Sequence, residues 1–273
     1  METKPSIETE KISQKVKRMY DLTGKVAVVT GGAGGLGGPT CIALASAGAD
    51  VVVVDMDLKR AEQIAEEIKS LGRESMALRI DVTKEEEVKN MVKTVVDKFK
   101  RIDILIPFAG MNITKPAEDY PLEDWNKVMT LNVTGTFLCD REVGKVMVAQ
   151  RSGKIINVSS VRSAFALPRN YIAYCTSKGA VNMITKQLAC EWGKFNVNVN
   201  AIAPTVIETP LTAHILADKA FAEKFRRGIP LGRWGRPDDL FGTIIFLASE
   251  ASNFVTGQII FIDGGTTTFD SID

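Results

Sequence analysis

The chain has 273 residues, 45% of them hydrophobic and 25% charged, and a net charge of +1, so it can bury a large core and carries no global field to recruit nucleic acid or an anionic membrane. Its single histidine, His214, excludes any zinc site built on two imidazoles, and no metal is expected. Cys41, Cys139, Cys175 and Cys190 show no C-x-x-C spacing and read as free, buried thiols of a reducing compartment.

Residues 1–20 form a polar lead with weak helical spacing and no apolar core of a signal peptide. No apolar run approaches the roughly 20 residues of a membrane span. These features point to a cytoplasmic protein with an N-terminal extension, followed by one domain over 21–273. Val26 to Thr30 is a short uninterrupted apolar run ending in glycines, as expected of a parallel strand buried on both faces. A helix follows over Leu36 to Gly48, then a strand over Val51 to Asp55. Ala61, Ile64, Ala65, Ile68 and Leu71 recur at helical steps and predict a helix burying one stripe. The alternation continues with a strand over Met76 to Asp81, a helix with the face Val88, Met91, Val92, Val95, Val96 and Phe99, and a strand over Ile102 to Phe108. A long helix from Trp125 to Val148, a strand over Lys154 to Ser159, a helix from Tyr174 to Asn196 and a strand over Val197 to Ala203 extend it. Thr205 to Gly228 is polar and aperiodic, an excursion of the kind that forms a functional lid. A helix over Pro237 to Leu247 and a strand over Gln258 to Ile262 close the chain. Sustained strand–helix alternation predicts a single-domain, doubly wound Rossmann-type α/β fold, with a parallel sheet of about seven strands covered on both faces.

The first strand runs into Thr30-Gly31-Gly32-Ala33-Gly34-Gly35-Leu36-Gly37-Gly38. Glycines at a strand-to-helix turn let the backbone approach a pyrophosphate, and the helix N-terminus offers it free N–H groups. Asp55, at the end of the second strand, can hold the two ribose hydroxyls of NAD and repel a 2′-phosphate. Lys59 and Arg60 lie near enough to leave NADP open. Asp81, at the end of the third strand, could reach the adenine or cap the next helix beside Thr83.

Tyr174 and Lys178 stand at i and i+4 on one helical face. A tyrosine of ordinary pKa near 10 is a poor base, but a neighbouring cation favours the phenolate, and a general acid/base nearer operating pH can carry the proton of an alcohol undergoing oxidation.

The spacing Thr30-Gly31-x-x-x-Gly35-x-Gly37 together with Tyr174-x-x-x-Lys178 resembles the classical short-chain dehydrogenase/reductase family, over about residues 22 to 265. The resemblance implies that Tyr174 is the acid/base and that Lys178 holds the nicotinamide ribose and tunes the tyrosine. It implies also that Ser160, with Ser159 as the alternative, binds the substrate oxygen, and that Asn132 anchors a proton-relay water. Gly31, Gly35, Leu36, Gly37, Asp55, Asp81, Val82, Ala109, Gly110, Tyr174, Lys178, Pro204, Ile207 and Thr209 are the implied cofactor contacts. The chain departs from the family where Pro107-Phe108 replaces a usual Asn-Asn, where Thr205 replaces a usual glycine, and in a slightly longer interval between Ser160 and Tyr174.

Among family branches the chain looks most like the sugar-acid and polyol dehydrogenases of gluconate 5-dehydrogenase type, on the stretches Ile229 to Leu240 and Ala251 to Gln258. The expected activity is NAD-dependent interconversion of a secondary alcohol and a ketone, with NADP not excluded, a small-molecule substrate and the homotetramer usual in the family. Arg162, Arg169 and His214 could each meet a substrate carboxylate or be solvated. The alternatives are a 3-oxoacyl-carrier-protein reductase and a non-catalytic NAD-binding sensor.

Overall fold

Seven parallel strands form one sheet in the order β3-β2-β1-β4-β5-β6-β7: β1 Val26–Thr30, β2 Asp50–Asp55, β3 Ser75–Arg79, β4 Ile104–Pro107, β5 Gly153–Val158, β6 Val197–Pro204 and β7 Ile259–Ile262. The computed structural model describes residues 7–166, 170–210, 212–213, 217 and 219–268; Arg169 and His214 lie outside them. Helices α1 Ile7–Arg18, α2 Gly37–Ser46, α3 Leu58–Ser70, α4 Glu85–Phe99, α5 Leu122–Met129, α6 Thr136–Gln150, α7 Ile172–Trp192, α8 Lys219–Arg227 and α9 Phe241–Ala248 complete the regular structure.

The apolar runs are continuous because the sheet is covered twice. Val29, Val51, Val53 and Ile106 join Ala61, Ile64, Ala65 and Ile68 of α3 and Ile244 and Leu247 of α9 in one core cluster. Val28, Val52, Val54 and Leu105 join Val88, Met91 and Val95 of α4, Val143 and Met147 of α6, and Leu188 of α7 in the other. Alternate residues of each strand feed opposite faces, so both faces select apolar side chains.

Several boundaries differ from the sequence expectation. β3 stops at Arg79, two residues before Asp81, whose N–H turns to Glu87 Oε2 on α4. Leu71 sits past the end of α3 and is exposed. The long helix is interrupted by a π-helical segment, Thr130–Gly135, between α5 and α6. Pro237–Leu240 is a 3₁₀ turn that leads into α9. The polar excursion after β6 contains α8, closed by Glu223 to Arg226 at 2.7 Å, and Ile207 is bridged to Gly235. Of the cysteines, Cys41 and Cys139 are buried, Cys175 is half-buried and Cys190 is exposed, and all four are free.

Strand order reverses between β1 and β4, and parallel strands put all their C-terminal ends at one edge. That edge therefore gathers the turns after Thr30, Asp55, Pro107, Val158 and Pro204, the place where sheets of this order bind their ligands.

Candidate active site

Gly31 turns the chain out of β1 with φ +67°, and a Cβ on it would lie 2.6 Å from the Ala109 nitrogen. Glycine is thus required twice, for the left-handed backbone and for the approach of the β4 turn. Gly37 leaves no room for a side chain against the Gly31 carbonyl, and a Cβ on Gly35 would meet the Thr209 Cβ at 2.8 Å. The glycine turn therefore lies against both Phe108-Ala109 and Thr209-Pro210. Leu36 is the N-cap residue of α2 and supplies no side-chain cap; Pro39 has no N–H and the Gly38 N–H goes to the Gly34 carbonyl at 3.0 Å, so in the first turn the Gly37 N–H is left for an anion.

Asp55 stands at the end of β2, where its carboxylate accepts from the Ala33 N–H and the Asp57 N–H, each at 3.0 Å. Arg60 Nε donates to the Ala33 carbonyl at 2.6 Å, so a guanidinium and a carboxylate hold the two main-chain groups of the same residue. Asp81 does not cap α4: Lys84 holds the N-cap position, while Asp81 Oδ1 accepts from the Thr83 N–H and hydroxyl at 2.9 and 2.7 Å. Burial acts to raise its carboxyl, and these bonds outweigh it, holding the group below the ordinary carboxylate value.

Among the backbone donors left without a partner are the N–H of Val82 and that of Ile207, although both residues are buried. A buried orphan N–H needs an acceptor. Their positions, beside Asp81 at one end and beyond Pro204 at the other, fit the two ends of a dinucleotide. Thr205 Oγ1 is likewise buried and unpartnered. Phe108, in place of the usual asparagine, packs on the core, and its N–H goes to the Thr30 carbonyl at 2.8 Å.

Ser160, Tyr174, Lys178 and Asn132 meet where β5, α7 and the π segment adjoin. Ser160 is buried, its hydroxyl acts on the Tyr174 phenol as a polar neighbour, and its Oγ accepts from the Arg162 N–H at 3.2 Å. Ser159 instead donates to Asn182 Oδ1 at 2.6 Å. Burial pushes the Tyr174 phenol up, the Ser160 hydroxyl pulling it partly back. Lys178 Nζ donates to the Val158 carbonyl at 2.7 Å and lies 5.6 Å from the Tyr174 ring centroid, and burial lowers its pKa to about 8. The expected lowering of the tyrosine by the lysine is therefore reversed: burial drives both groups toward neutrality, and the phenol rests protonated.

Asn132 does not bond its own helix. Its Oδ1 accepts from the Met111 N–H at 2.8 Å, and its Nδ2 donates to the Met111 carbonyl at 2.9 Å and to Ser177 Oγ at 3.0 Å. The side chain is fully engaged in pinning the turn after Gly110 to α7. Its main-chain carbonyl accepts from Thr136 Oγ1 at 2.8 Å.

Sequence reasoning missed the supporting residues. Ser177, which donates to the Tyr174 carbonyl at 2.7 Å, and Thr212, which donates to the Ile207 carbonyl at 2.7 Å and accepts from the Thr209 N–H at 2.9 Å, both carry short hydroxyls without a motif of their own. Their serine and threonine side chains beside a motif were the available signal.

A family model described as enoyl-(acyl carrier protein) reductase matches residues 31–267. An NAD-dependent glycerol dehydrogenase of Listeria innocua is 39% identical over 253 residues, 91% of this chain and 96% of that one. A 3-oxoacyl-[acyl-carrier-protein] reductase of Synechocystis is 40% identical over 253 residues, covering 92% of this chain and all of that one. The crystal structure of a gluconate 5-dehydrogenase from Burkholderia cenocepacia, in complex with NADP and tartrate, is similar at a TM-score of 0.90 and 34% identity, over 93% of this chain and 100% of that one.

Proposed function

The chain belongs to the short-chain dehydrogenase/reductase family, and from that premise we propose that it interconverts a secondary alcohol and a ketone on a sugar acid, ketose or polyol, with Tyr174 as the proton carrier. The observation that carries this reading is the buried Ser160 beside the half-buried Tyr174 beyond the end of β5, at the sheet edge that also carries the glycine turn and the Ile207-to-Thr209 segment. The similar glycerol dehydrogenase and gluconate 5-dehydrogenase support the substrate range.

A nicotinamide dinucleotide supplies the hydride chemistry when bound. The residues fit it: Asp55 for the ribose hydroxyls, Asp81 and Val82 for the adenine, Gly31 to Gly37 for the pyrophosphate, and Ile207 and Thr209 for the carboxamide. Asp55 favours NAD, while Arg60 beside it gives a 2′-phosphate a counter-charge. In the reducing direction, Ser160 and Tyr174 hold the carbonyl oxygen, and the protonated phenol gives that oxygen its proton. Lys178, charged below about pH 8, stabilises the phenolate that remains. The Asn132 main-chain oxygen, since the side chain is committed, is the group that can hold a relay water. The oxidising direction runs the same proton path backwards.

The test is Tyr174→Phe, followed by NADH absorbance with a panel of ketoses, keto acids and polyols. Turnover is expected to fall by roughly 10³-fold or more, with NADH affinity within a few-fold of wild type. Substantial turnover in the variant overturns the assignment, and cofactor binding with no turnover by the wild type favours a sensor.

A further inference from the structure

Arg162 occupies an unusual electrostatic position. It follows Ser160 by two residues in the 3₁₀ turn Val161–Ser163, so its backbone N–H steadies the serine while its side chain turns back over α7. The guanidinium is half-buried, its carbon lying 5.9 Å from the centroid of the Phe225 ring on α8. Phe225 in turn stacks on Trp234, with centroids 5.3 Å apart. The titratable groups that face Arg162 are Cys175, Tyr171 and Tyr174, a thiol and two phenols, and none is an anion at neutral pH in its ordinary form. No carboxylate among the described residues pairs with it, whereas Arg101, Arg141, Arg226 and Arg233 all have one. Burial works against its charge.

A desolvated guanidinium without a counter-ion is costly, and a planar carboxylate bound through two N–H donors is the ligand that best offsets that cost. The charge acts on the tyrosine proposed to carry the proton and is far in the chain from the Asp55 end of the cradle.

Resting on the proposed alcohol–ketone chemistry, we infer that Arg162 is the specificity-determining contact for a substrate carboxylate, so that the substrate of this chain is a hydroxy acid or keto acid of the sugar series rather than a neutral polyol. A carrier-protein thioester, which has no carboxylate on its acyl chain beside the reacting carbonyl, fits this site less well. Because α8 contributes Phe225 to the same guanidinium, the segment after β6 also helps orient the charge that reads the substrate.

The test compares wild type with Arg162→Gln and Arg162→Lys. Neither substitution removes the backbone N–H bonded to Ser160. One readout is the ratio of kcat/KM for D-gluconate to that for D-glucitol, a neutral polyol of the same carbon number, at saturating NAD⁺. The other is the dissociation constant of tartrate for the NADH-loaded enzyme, which needs no turnover. Arg162→Gln is expected to lower the ratio and to weaken tartrate by about 10- to 100-fold, the loss of one charge-assisted pair, with Arg162→Lys in between. An unchanged ratio with tartrate affinity within two-fold of wild type makes Arg162 a packing partner of Phe225 and overturns the inference, even if polyols are oxidised. Wild type that neither binds tartrate nor acts on the acid overturns it as well. Arg162-dependent tartrate binding in an enzyme that turns over neither substrate upholds the carboxylate site and instead removes the redox reading.

Discussion

Replacing Asp140 by asparagine should remove most of the stability loss that the protein undergoes between weakly acid and neutral pH. Asp140 lies on α6 and is fully buried. Its Oδ2 accepts from Asn157 Nδ2 at 3.0 Å, and Asn157 Nδ2 also donates to Thr185 Oγ1 at 3.1 Å. Asp140 Oδ1 and Asn157 Oδ1 are both buried without a partner, an arrangement of two stranded acceptors that an added proton relieves. Burial raises the Asp140 carboxyl to about 8. The native acid is thus neutral over the range in which the unfolded chain, at its ordinary 3.8, has ionised. The unfolded state binds fewer protons there, so the stabilisation is complete below pH 3.8 and is lost as pH rises toward 8. The slope is about 1.4 kcal/mol per pH unit, or about 2.7 kcal/mol between pH 5 and pH 7. For a chain of this length that corresponds to roughly 5–10 °C in Tm. The substituted asparagine would not titrate, and its amide could donate to Asn157 Oδ1 while its oxygen kept the existing bond. Urea unfolding of wild type and Asp140→Asn at pH 5, 6, 7 and 8, followed by tryptophan fluorescence, measures the difference in slope. Parallel pH profiles for the two proteins would refute the reasoning, because Asp140 would then be ionised in the native state.

Asp55→Ser is expected to lower the NAD-to-NADP ratio of kcat/KM by about 10- to 100-fold, through loss of a charge-assisted bond to the ribose and of repulsion toward a 2′-phosphate; an unchanged ratio assigns discrimination to Arg60 instead. Gly31→Ala is expected to cost at least about 2 kcal/mol, since a side chain must adopt φ +67° and lie 2.6 Å from the Ala109 nitrogen, and wild-type thermal stability in that variant would contradict the packing. Asn132→Ala strands both polar groups of Met111, at about 1–3 kcal/mol each, so unfolding free energy should fall together with kcat, and a kcat loss at full stability would move Asn132 from scaffold to direct participant.

The sheet was legible because burial on both faces demands uninterrupted apolar strands, and Val51-Val52-Val53-Val54 has no competing reading once glycines and alanine-rich helices surround it. What was not legible depends on tertiary partners. β3 ends early because the Asp81 N–H turns to Glu87 Oε2, at 2.8 Å, on α4 and leaves the sheet. α8 was hidden because its sequence Lys219 to Arg227 is rich in charge, and its stability draws on Glu223 clamping Arg226 and Arg227 and on Phe225 lying against Trp234. Neither contact has a periodic signature.

The candidate site divides along the same line. The tyrosine and lysine could be found because one helical turn fixes their separation, and the glycines because only they fit a turn of positive φ. The electrostatic relation between Tyr174 and Lys178 could not be found, because spacing sets a distance and says nothing of dielectric. At the end of β5 the surrounding core withdraws water from both groups, and Lys178 finds the Val158 carbonyl nearer than the phenol. Desolvation then outweighs their mutual field, leaving a phenol that holds its proton and an ammonium that readily gives one up. Such a pair is poised first to donate to a carbonyl oxygen, and the cation becomes most favourable when the phenolate appears, since only then does it have an anion to face. In the proposed reaction, the stabilisation that spacing assigned to the resting tyrosine thus falls on the state after proton transfer.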